Sequence, residues 1–195
     1  MKTKKLIPAV VLAVLALPVL AQTASSEMQR DVNQQQRIES GLKSGQLTTR
    51  EASKLEHEEA HVNHAEAKAM KDGTLTSTEQ SRIQGMQNKL SRDIGAQKHD
   101  AQTGNPHSAS SQRMQADVQR NIRQEKRIQS GVQNGSLNSR EAARMQRTQA
   151  RVDRKEARAG HDGHVSAAEQ HRVQRTENRD SHRIFRQKHD AQHGV

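Results

Sequence analysis

Histidine is the residue type in this 195-residue chain whose spacing most readily suggests chemistry. The segment His57–His61 reads His-Glu-Glu-Ala-His, which matches the H-E-x-x-H pattern that places two zinc ligands and a general base on one helix face in metalloproteases. A protease also needs a third ligand and a substrate cleft, and a chain whose one aromatic residue is Phe185 has little core to build a cleft. We therefore expect the protein not to be an enzyme and to have no catalytic residues.

A wider set of histidines is predicted to lie on solvated helix faces, opposite the apolar side chains. At 100° per residue, His57, His61 and His64 fall about 180–240° from the apolar Leu55. Imidazoles one helical turn apart can chelate Zn²⁺, Cu²⁺ or Ni²⁺. The candidate ligands for one weakly bound divalent transition metal are His57, His61, His64, His189 and His193. The alternative is that these side chains only occupy a solvated face and that the protein has no cofactor.

Basic residues are concentrated in the second half of the chain. Residues 106–195 carry 18 basic and 10 acidic side chains, whereas residues 22–105 carry 11 and 12. Such a surface could bind a polyanion through counterion release, although no aromatic residues interleave with the basic ones for base stacking. The candidate polyanion-binding residues are Arg140, Arg144, Arg147, Arg151, Arg154, Lys155 and Arg158. A solvated arginine-rich helix, paired internally with glutamates, is the alternative.

These candidate residues belong to a sequence that is written twice. Residues 27–102 align with residues 117–192 without a gap at an offset of 90, and 32 of the 76 positions are identical. A fixed period indicates repeated structural units. It also provides an internal control, because His57 and His61 become Arg147 and Arg151 in the second copy.

A glycine motif that occurs four times predicts the joints between helices. It begins at Gly45, Gly73, Gly135 and Gly163 and ends six residues later in glutamate. Glycine adopts the left-handed conformation just past a helix end, and a polar side chain three residues before a glutamate forms a capping box at the next helix start. The predicted N-cap residues are Thr48, Thr76, Asn138 and Ser166.

The same glycine and glutamate residues also resemble the second half of an EF-hand loop. The early positions of such a loop, however, hold Lys68 and Met70 before Gly73, where calcium needs oxygen ligands. Helix capping therefore accounts for the motif.

The fold class predicted from these patterns is all-α, with two tandem three-helix units that are thinly packed. We place unit 1 at residues 22–102, a linker around Pro106 at residues 103–111, and unit 2 at residues 112–195. Leu90 and Met86 become Asp180 and Thr176 in the second copy, so its last helix loses part of its apolar stripe. We expect unit 2 to be the less stable, or to fold only against unit 1 or a partner; alternatively, residues 166–195 are disordered in isolation.

The N-terminus has the pattern of a secretory signal peptide. Three lysines precede an apolar run that is short for a membrane span, and small residues suit cleavage after Ala21. We therefore expect residues 1–21 to be removed, the mature chain to be periplasmic or secreted, and no transmembrane segment to remain. The chain has no cysteine, which excludes disulfides.

Two resemblances to known families bear on function. The segments Leu47–Glu51 and Leu75–Glu79 read Leu-Thr-x-x-Glu and resemble the Leu-Thr-x-x-Gln motifs of the Spy/CpxP family of periplasmic helical stress proteins, which implies a curved helical chaperone or metal-linked sensor. The duplicated pattern as a whole resembles secreted proteobacterial helical-repeat proteins, a resemblance that brings no catalytic residues. Its repeated ending, of unassigned role, comprises Lys98, His99, Asp100, Lys188, His189 and Asp190.

The function expected from the sequence is that of a secreted or periplasmic non-enzymatic helical binding protein. Its partner would be a protein or a cell-envelope component, in a chaperone-like or envelope-stress role, and oligomerisation stays open. The first alternative is divalent-metal buffering by the exposed histidines. The second is polyanion binding by the basic second unit.

Overall fold

The structure is a computed structural model that describes residues 17–190, with side chains described from Thr23 onward. Within this range the chain is all-α, which confirms the all-α part of the predicted fold class. The helices are α1 (Leu17–Ser44), α2 (Thr49–Ala69), α3 (Ser77–Lys98), α4 (Ala109–Gln133), α5 (Ser139–Ala159) and α6 (Ala167–Lys188), and a 3₁₀ turn (Met70–Asp72) follows α2. Helices α5 and α6 repeat α2 and α3 at the offset of 90 residues.

The four glycine joints have the predicted conformation. Gly45, Gly73, Gly135 and Gly163 all have positive φ values, between 74° and 91°. Capping boxes begin α2, α3, α5 and α6. At the start of α2, the Glu51 amide donates to Thr48 Oγ1 at 3.2 Å, and the Thr48 amide donates to Glu51 Oε2 at 2.8 Å. The repeated motif therefore terminates one helix and begins the next, as the sequence predicts.

Helices of the two copies pack directly against each other. Helix α2 packs on α5 and α1 packs on α4, while α3 covers α1 and α2 and α6 covers α4 and α5. The apolar clusters accordingly mix the copies: Leu55 of α2 shares a cluster with Met114 of α4, and Met28 of α1 shares one with Met145 of α5. The interior enclosed by α1, α2, α4 and α5 is common to both copies.

The segment between α3 and α4 is held against the first glycine joint. The Gly104 amide donates to the Gly45 carbonyl at 2.8 Å, and a Cβ on Gly104 would overlap the carbonyl oxygen of Leu47. Ser108 then caps α4 by accepting from the Ser111 amide at 3.1 Å. The link between the copies is thus a packed turn.

The ends of the chain bear on two of the sequence-based expectations. None of the helices in the described range has an apolar stretch long enough to cross a membrane. The predicted signal peptide lies mostly outside the described residues, and α1 begins at Leu17. Helix α6 is continuous to Lys188, and its Thr176 and Asp180 occupy buried positions beside Val173 and Ile184.

Candidate functional site

The candidate histidine ligands lie at the surface where the structure describes them. His57, His61, His64 and His189 are exposed, as their helical angles predict, and His193 lies outside the described residues. The Nε2 atoms of His57 and His61 are 3.2 Å apart. His189 lies at the end of α6, where its ring stacks on Phe185 and its Nδ1 is 2.7 Å from the Phe185 carbonyl oxygen.

The structure separates the two glutamates of the H-E-x-x-H segment. Glu58 accepts from Lys89 Nζ at 2.8 Å at the surface, whereas Glu59 is fully buried. Burial, followed by the charges of His57, Arg154 and His64, lowers the pKa of His61. Among residues 23–190, no group of three converging ligands includes a histidine.

The repeated Lys-His-Asp ending stops a helix in each copy. Lys98 and Lys188 are the last residues of α3 and α6, and the following residues, His99 and His189, donate their amides to the carbonyls of Ala96 and Arg186, each at 3.2 Å. The first-copy aspartate, Asp100, accepts from the Gln102 amide at 2.8 Å. In the second copy, Asp190 accepts from Gln187 Nε2 at 2.9 Å.

A basic groove runs between α5 and α6. Of the seven basic residues predicted from the sequence, six line it, and Arg140 is exposed outside it. Helix α6 supplies five further arginines that the sequence reasoning missed, although their spacing of three and four residues places them on one helix face. The eleven groove cations are Arg144, Arg147, Arg151, Arg154, Lys155, Arg158, Arg172, Arg175, Arg179, Arg183 and Arg186.

Few acidic groups neutralise the basic groove. Its lining includes the carboxylates Glu169, Asp180 and Asp190. Within the described residues, Arg183 is the only groove cation in an ion pair, with its Nη1 3.6 Å from Asp180 Oδ1. Burial and the neighbouring charges of Arg179 and Arg175 lower the pKa of Lys155. Both observations indicate excess positive charge.

The exposed histidines adjoin the basic groove on its α2 side. A cavity of ≈ 750 Å³ between α2 and α5 is lined by His57, Glu58, Arg154, Arg158 and His161, among others. Arg154 and Arg158 line both this cavity and the basic groove.

A seam of buried polar side chains runs through the interior between α2 and α5. Its members recur every three or four residues, next to the apolar stripe: Glu56, Glu59, Asn63 and Glu66 on α2, and Gln146, Gln149, Asp153 and Glu156 on α5. Helices α1, α4 and α6 add the buried acids Asp31, Glu125 and Glu177. No Lys, Arg or His is among the buried residues of the described range, and the ion pair that reaches a seam carboxylate there joins the partly exposed Arg120 Nε to Glu177 Oε2 at 3.6 Å.

The sequence reasoning missed this interior seam because it assigned acidic residues to solvated faces. The available signal was the comparison of the two copies. Seam positions exchange acid for amide at the 90-residue offset, as in Glu56 and Gln146, or Asp153 and Asn63. A surface position is under no pressure to keep a side chain of the same shape, so such isosteric exchange indicates burial.

Burial dominates the ionisation of the seam. It raises the pKa of Glu56 to about 8 and those of Asp31 and Asp153 to about 7. The pKa values of Glu59, Glu66, Glu125 and Glu156 are raised well above their usual range by burial and then by the charges of nearby acids, among them Asp31, Glu56 and Asp153. In Glu177, burial raises the pKa to about 8. The seam can therefore hold protons, or a cation in their place, at neutral pH.

Side-chain amides satisfy part of the interior seam. Asn63 Nδ2 and Asn121 Nδ2 donate to the two carboxylate oxygens of Asp153, at 2.8 and 2.7 Å. Gln35 Nε2 donates to Glu56 Oε2 at 2.9 Å. Gln149 donates to Asn121. The hydrogen bond between Asn63 and Asp153 joins equivalent positions of the two copies, so it marks the point where the copies meet.

Comparisons of this chain with protein-family models, with curated proteins and with solved structures return no match.

Proposed function

We propose that this chain is an exported, non-enzymatic helical binding protein whose basic groove holds a phosphate-bearing polyanion. The observation that carries this proposal is the groove between α5 and α6, where eleven basic side chains converge and one is ion-paired within the described residues. Repeated phosphates would neutralise these charges and release condensed counterions, which favours binding without any sequence-specific contact. Export rests on the signal-peptide pattern of residues 1–21.

The surface favours a charged ligand over an apolar one. Among residues 23–190, Phe185 is the exposed large hydrophobic side chain, at 55%. A chaperone that binds unfolded clients would need a broad apolar patch. We therefore favour polyanion binding over a chaperone-like or envelope-stress role. A phosphorylated cell-envelope component is a partner that fits both functions.

We further propose that the two 90-residue copies are units of duplication that fold together. The support is the packing of α2 on α5 and of α1 on α4, which buries the interior of each copy against the other. The side chains of the basic groove all come from the second copy. Helices α1 and α2 of the first copy support that copy by packing on α4 and α5.

The direct test is a titration of the purified mature chain with fluorescently labelled inorganic polyphosphate at several salt concentrations. Arg151 and Arg183 lie at the centre of the groove, where its cavities meet. We expect Arg151→Gln/Arg183→Gln to weaken binding and to reduce the slope of log K against log salt by about 1.4 to 1.8, since each lost phosphate contact removes about 0.7 to 0.9.

The matched control is Lys71→Gln/Arg92→Gln, which removes the same net charge from exposed positions in the first copy. It should change the binding of polyphosphate much less than the groove variant. Equal losses in the two variants would show that binding reflects net charge alone, and undetectable binding by the wild type at low salt would exclude the proposed function.

The second candidate function is weak transition-metal binding at the surface of α2. The 3.2 Å separation of His57 Nε2 and His61 Nε2 supports it, because a metal between two imidazoles needs both nitrogens close together. A Ni²⁺ titration of wild type and of His57→Ala/His61→Ala tests it. Equal Ni²⁺ affinity in the two proteins would rule out this pair.

A further inference from the structure

The interior seam has two halves that the duplication relates, and their chemistry differs. Three carboxylates from α2 and α5, those of Glu56, Asp153 and Glu156, each offer one oxygen, and these oxygens all lie within 4.8 Å of one another. We call these three residues the acidic triad. The equivalent positions in the other copy hold Gln146, Asn63 and Glu66, and we call these the amide triad.

The amide triad satisfies its own carboxylate. Glu66 Oε2 accepts from Gln146 Nε2 at 2.6 Å, and Glu66 Oε1 accepts from Gln87 Nε2 at 3.2 Å. The Gln146 amide therefore lies next to Glu66, whereas at the equivalent position in the acidic triad Glu156 has a second carboxylate, that of Glu56, as its neighbour.

The acidic triad leaves carboxylate oxygens unpaired. Glu156 is fully buried, and neither of its oxygens has an amide or hydroxyl donor; its side-chain hydrogen-bond partner is another acid, Glu56. The adjacent Glu59, also fully buried, has two oxygens without a donor, and its strongest charge interactions are with other acids, including Glu56 and Asp153. A buried carboxylate without a donor or a counter-charge is strongly destabilising. These unpaired oxygens point independently to a positive ligand at the triad.

The donor set and its spacing define the kind of ion. All the candidate donors are oxygens, which suits hard divalent cations and disfavours the softer ions bound by histidine. Two oxygens bound to one ion at about 2.4 Å lie no more than about 4.8 Å apart, and the three oxygens of the triad lie within that limit. Ligation would therefore need side-chain adjustment and no movement of the helices.

We propose that the acidic triad binds one hard divalent cation, such as Mn²⁺ or Ca²⁺, inside the helical bundle. The amide triad does not repeat this site, because two of its three positions hold amides, Gln146 and Asn63. This site is separate from the surface histidines and from the basic groove, so it stands independently of the polyanion proposal.

The surrounding charges agree with such a site. The charged groups that act on the triad and on the neighbouring Glu59 are Asp31 from α1, Asp117 and Glu125 from α4, and Glu177 from α6, and all four are acidic. Of these, Glu177 is paired with a cation, since Arg120 Nε lies 3.6 Å from Glu177 Oε2.

The test is a titration of the chelator-treated mature chain with Mn²⁺, in which electron paramagnetic resonance measures the free ion. We expect saturable binding of one Mn²⁺ per chain, competition by Ca²⁺, release of protons, and a melting temperature that rises with Mn²⁺ concentration. Glu56→Gln and Asp153→Asn each install the residue that the other copy carries at that position. Each variant should weaken Mn²⁺ binding by about tenfold or more.

Two controls separate this site from other acidic and histidine groups. Asp180→Asn removes a carboxylate that is also buried (2% exposed) but lies outside the acidic triad, and it should leave Mn²⁺ affinity unchanged. His57→Ala/His61→Ala should likewise have no effect. Equal Mn²⁺ affinity in wild type, Glu56→Gln and Asp153→Asn would overturn the proposal. If both variants fail to fold, the wild type decides, because an absence of saturable binding or of Mn²⁺-dependent stabilisation would also overturn it.

Discussion

The groove between α5 and α6 and the surface between α2 and α3 are built from equivalent helix positions, yet they carry different charges. The eleven groove cations of the second copy correspond in the first copy to Lys54, His57, His61, His64, Ala65, Lys68, Arg82, Gly85, Lys89, Asp93 and Ala96. Only four of these are permanent cations. One of them, Lys89, is already neutralised by Glu58 and Asp93, at 2.8 and 2.5 Å. The two surfaces show that charge has diverged on a retained backbone.

The interior shows the same divergence in a different form. At seam positions the copies exchange carboxylate for amide, a change that keeps the shape of the side chain and alters its charge and hydrogen-bond donors. The glycine joints and capping boxes, by contrast, have the same geometry in both copies. The two copies therefore share the helical scaffold, while the charged side chains inside and outside it differ between them.

The largest expected effect comes from exchanging equivalent interior residues between the two triads. Gln146→Glu removes the amide that donates to Glu66 and adds a second buried carboxylate, so we expect it to destabilise the chelator-treated protein by about 3 kcal/mol at pH 8. Glu56→Gln supplies a donor near the unpaired oxygens of Glu156, and we expect it to stabilise the same protein by about 1 kcal/mol. Urea unfolding measures both free energies.

Opposite signs at equivalent positions are the essential result for the interior. A destabilising Glu56→Gln together with a neutral Gln146→Glu would mean that the two triads do not differ in the way that their hydrogen bonds indicate.

The pH dependence of stability provides a second test of the interior. The folded-state pKa of Glu56 is raised to about 8 and that of Asp153 to about 7, above the values of about 4 in an unfolded chain. The folded state therefore binds more protons, and this stabilisation is complete below about pH 4 and is lost as the pH rises through 7 to 8. The slope is about 1.4 kcal/mol per pH unit for each proton involved.

We expect the chelator-treated protein to lose stability between pH 5 and pH 8, and Glu56→Gln to lose less over the same range. Urea unfolding at both pH values measures this. Stability that rises from pH 5 to pH 8 without a divalent cation would contradict the assignment of protons to the seam.

The smallest expected effects concern the scaffold that the copies share. Thr48→Ala and Asn138→Ala remove equivalent N-cap side chains from α2 and α5, and each should cost about 1 kcal/mol of unfolding free energy. Because both capping boxes have the two reciprocal hydrogen bonds between the N-cap residue and the glutamate, the two losses should agree within about 0.5 kcal/mol. A large loss at one cap and none at the other would show that the copies do not share a scaffold.

The sequence predicts local structure well where one residue type has one physical role. Glycine at a left-handed position and glutamate at the third helical position define the joints, because few other residues satisfy those backbone requirements. The exposure of His57, His61 and His64 follows from helical periodicity, because their angles place them away from the apolar stripe of α2. These features need no knowledge of which helices meet.

The interior seam could not be predicted in this way, because it depends on how the two copies pack. Glu56 and Asp153 are acidic residues on separate helices, and each alone resembles an ordinary solvated side chain. Only the packing of α2 against α5 makes both positions buried. The α6 half of the basic groove has a similar cause, since Arg179 and Arg183 acquire their role only when α6 lies along α5.

The measurement that tests the central claim most directly is polyphosphate binding by a variant that carries the first copy's residues in the second copy's groove. Arg147→His/Arg151→His/Arg154→His converts the α5 face to the histidines that α2 has at these positions. At pH 8 we expect a slope of log K against log salt that is smaller by about 2, and partial recovery of binding at pH 5.5, where histidine is charged. Unchanged affinity and salt dependence at pH 8 would contradict the claim that the divergent charges of the second copy form the binding site.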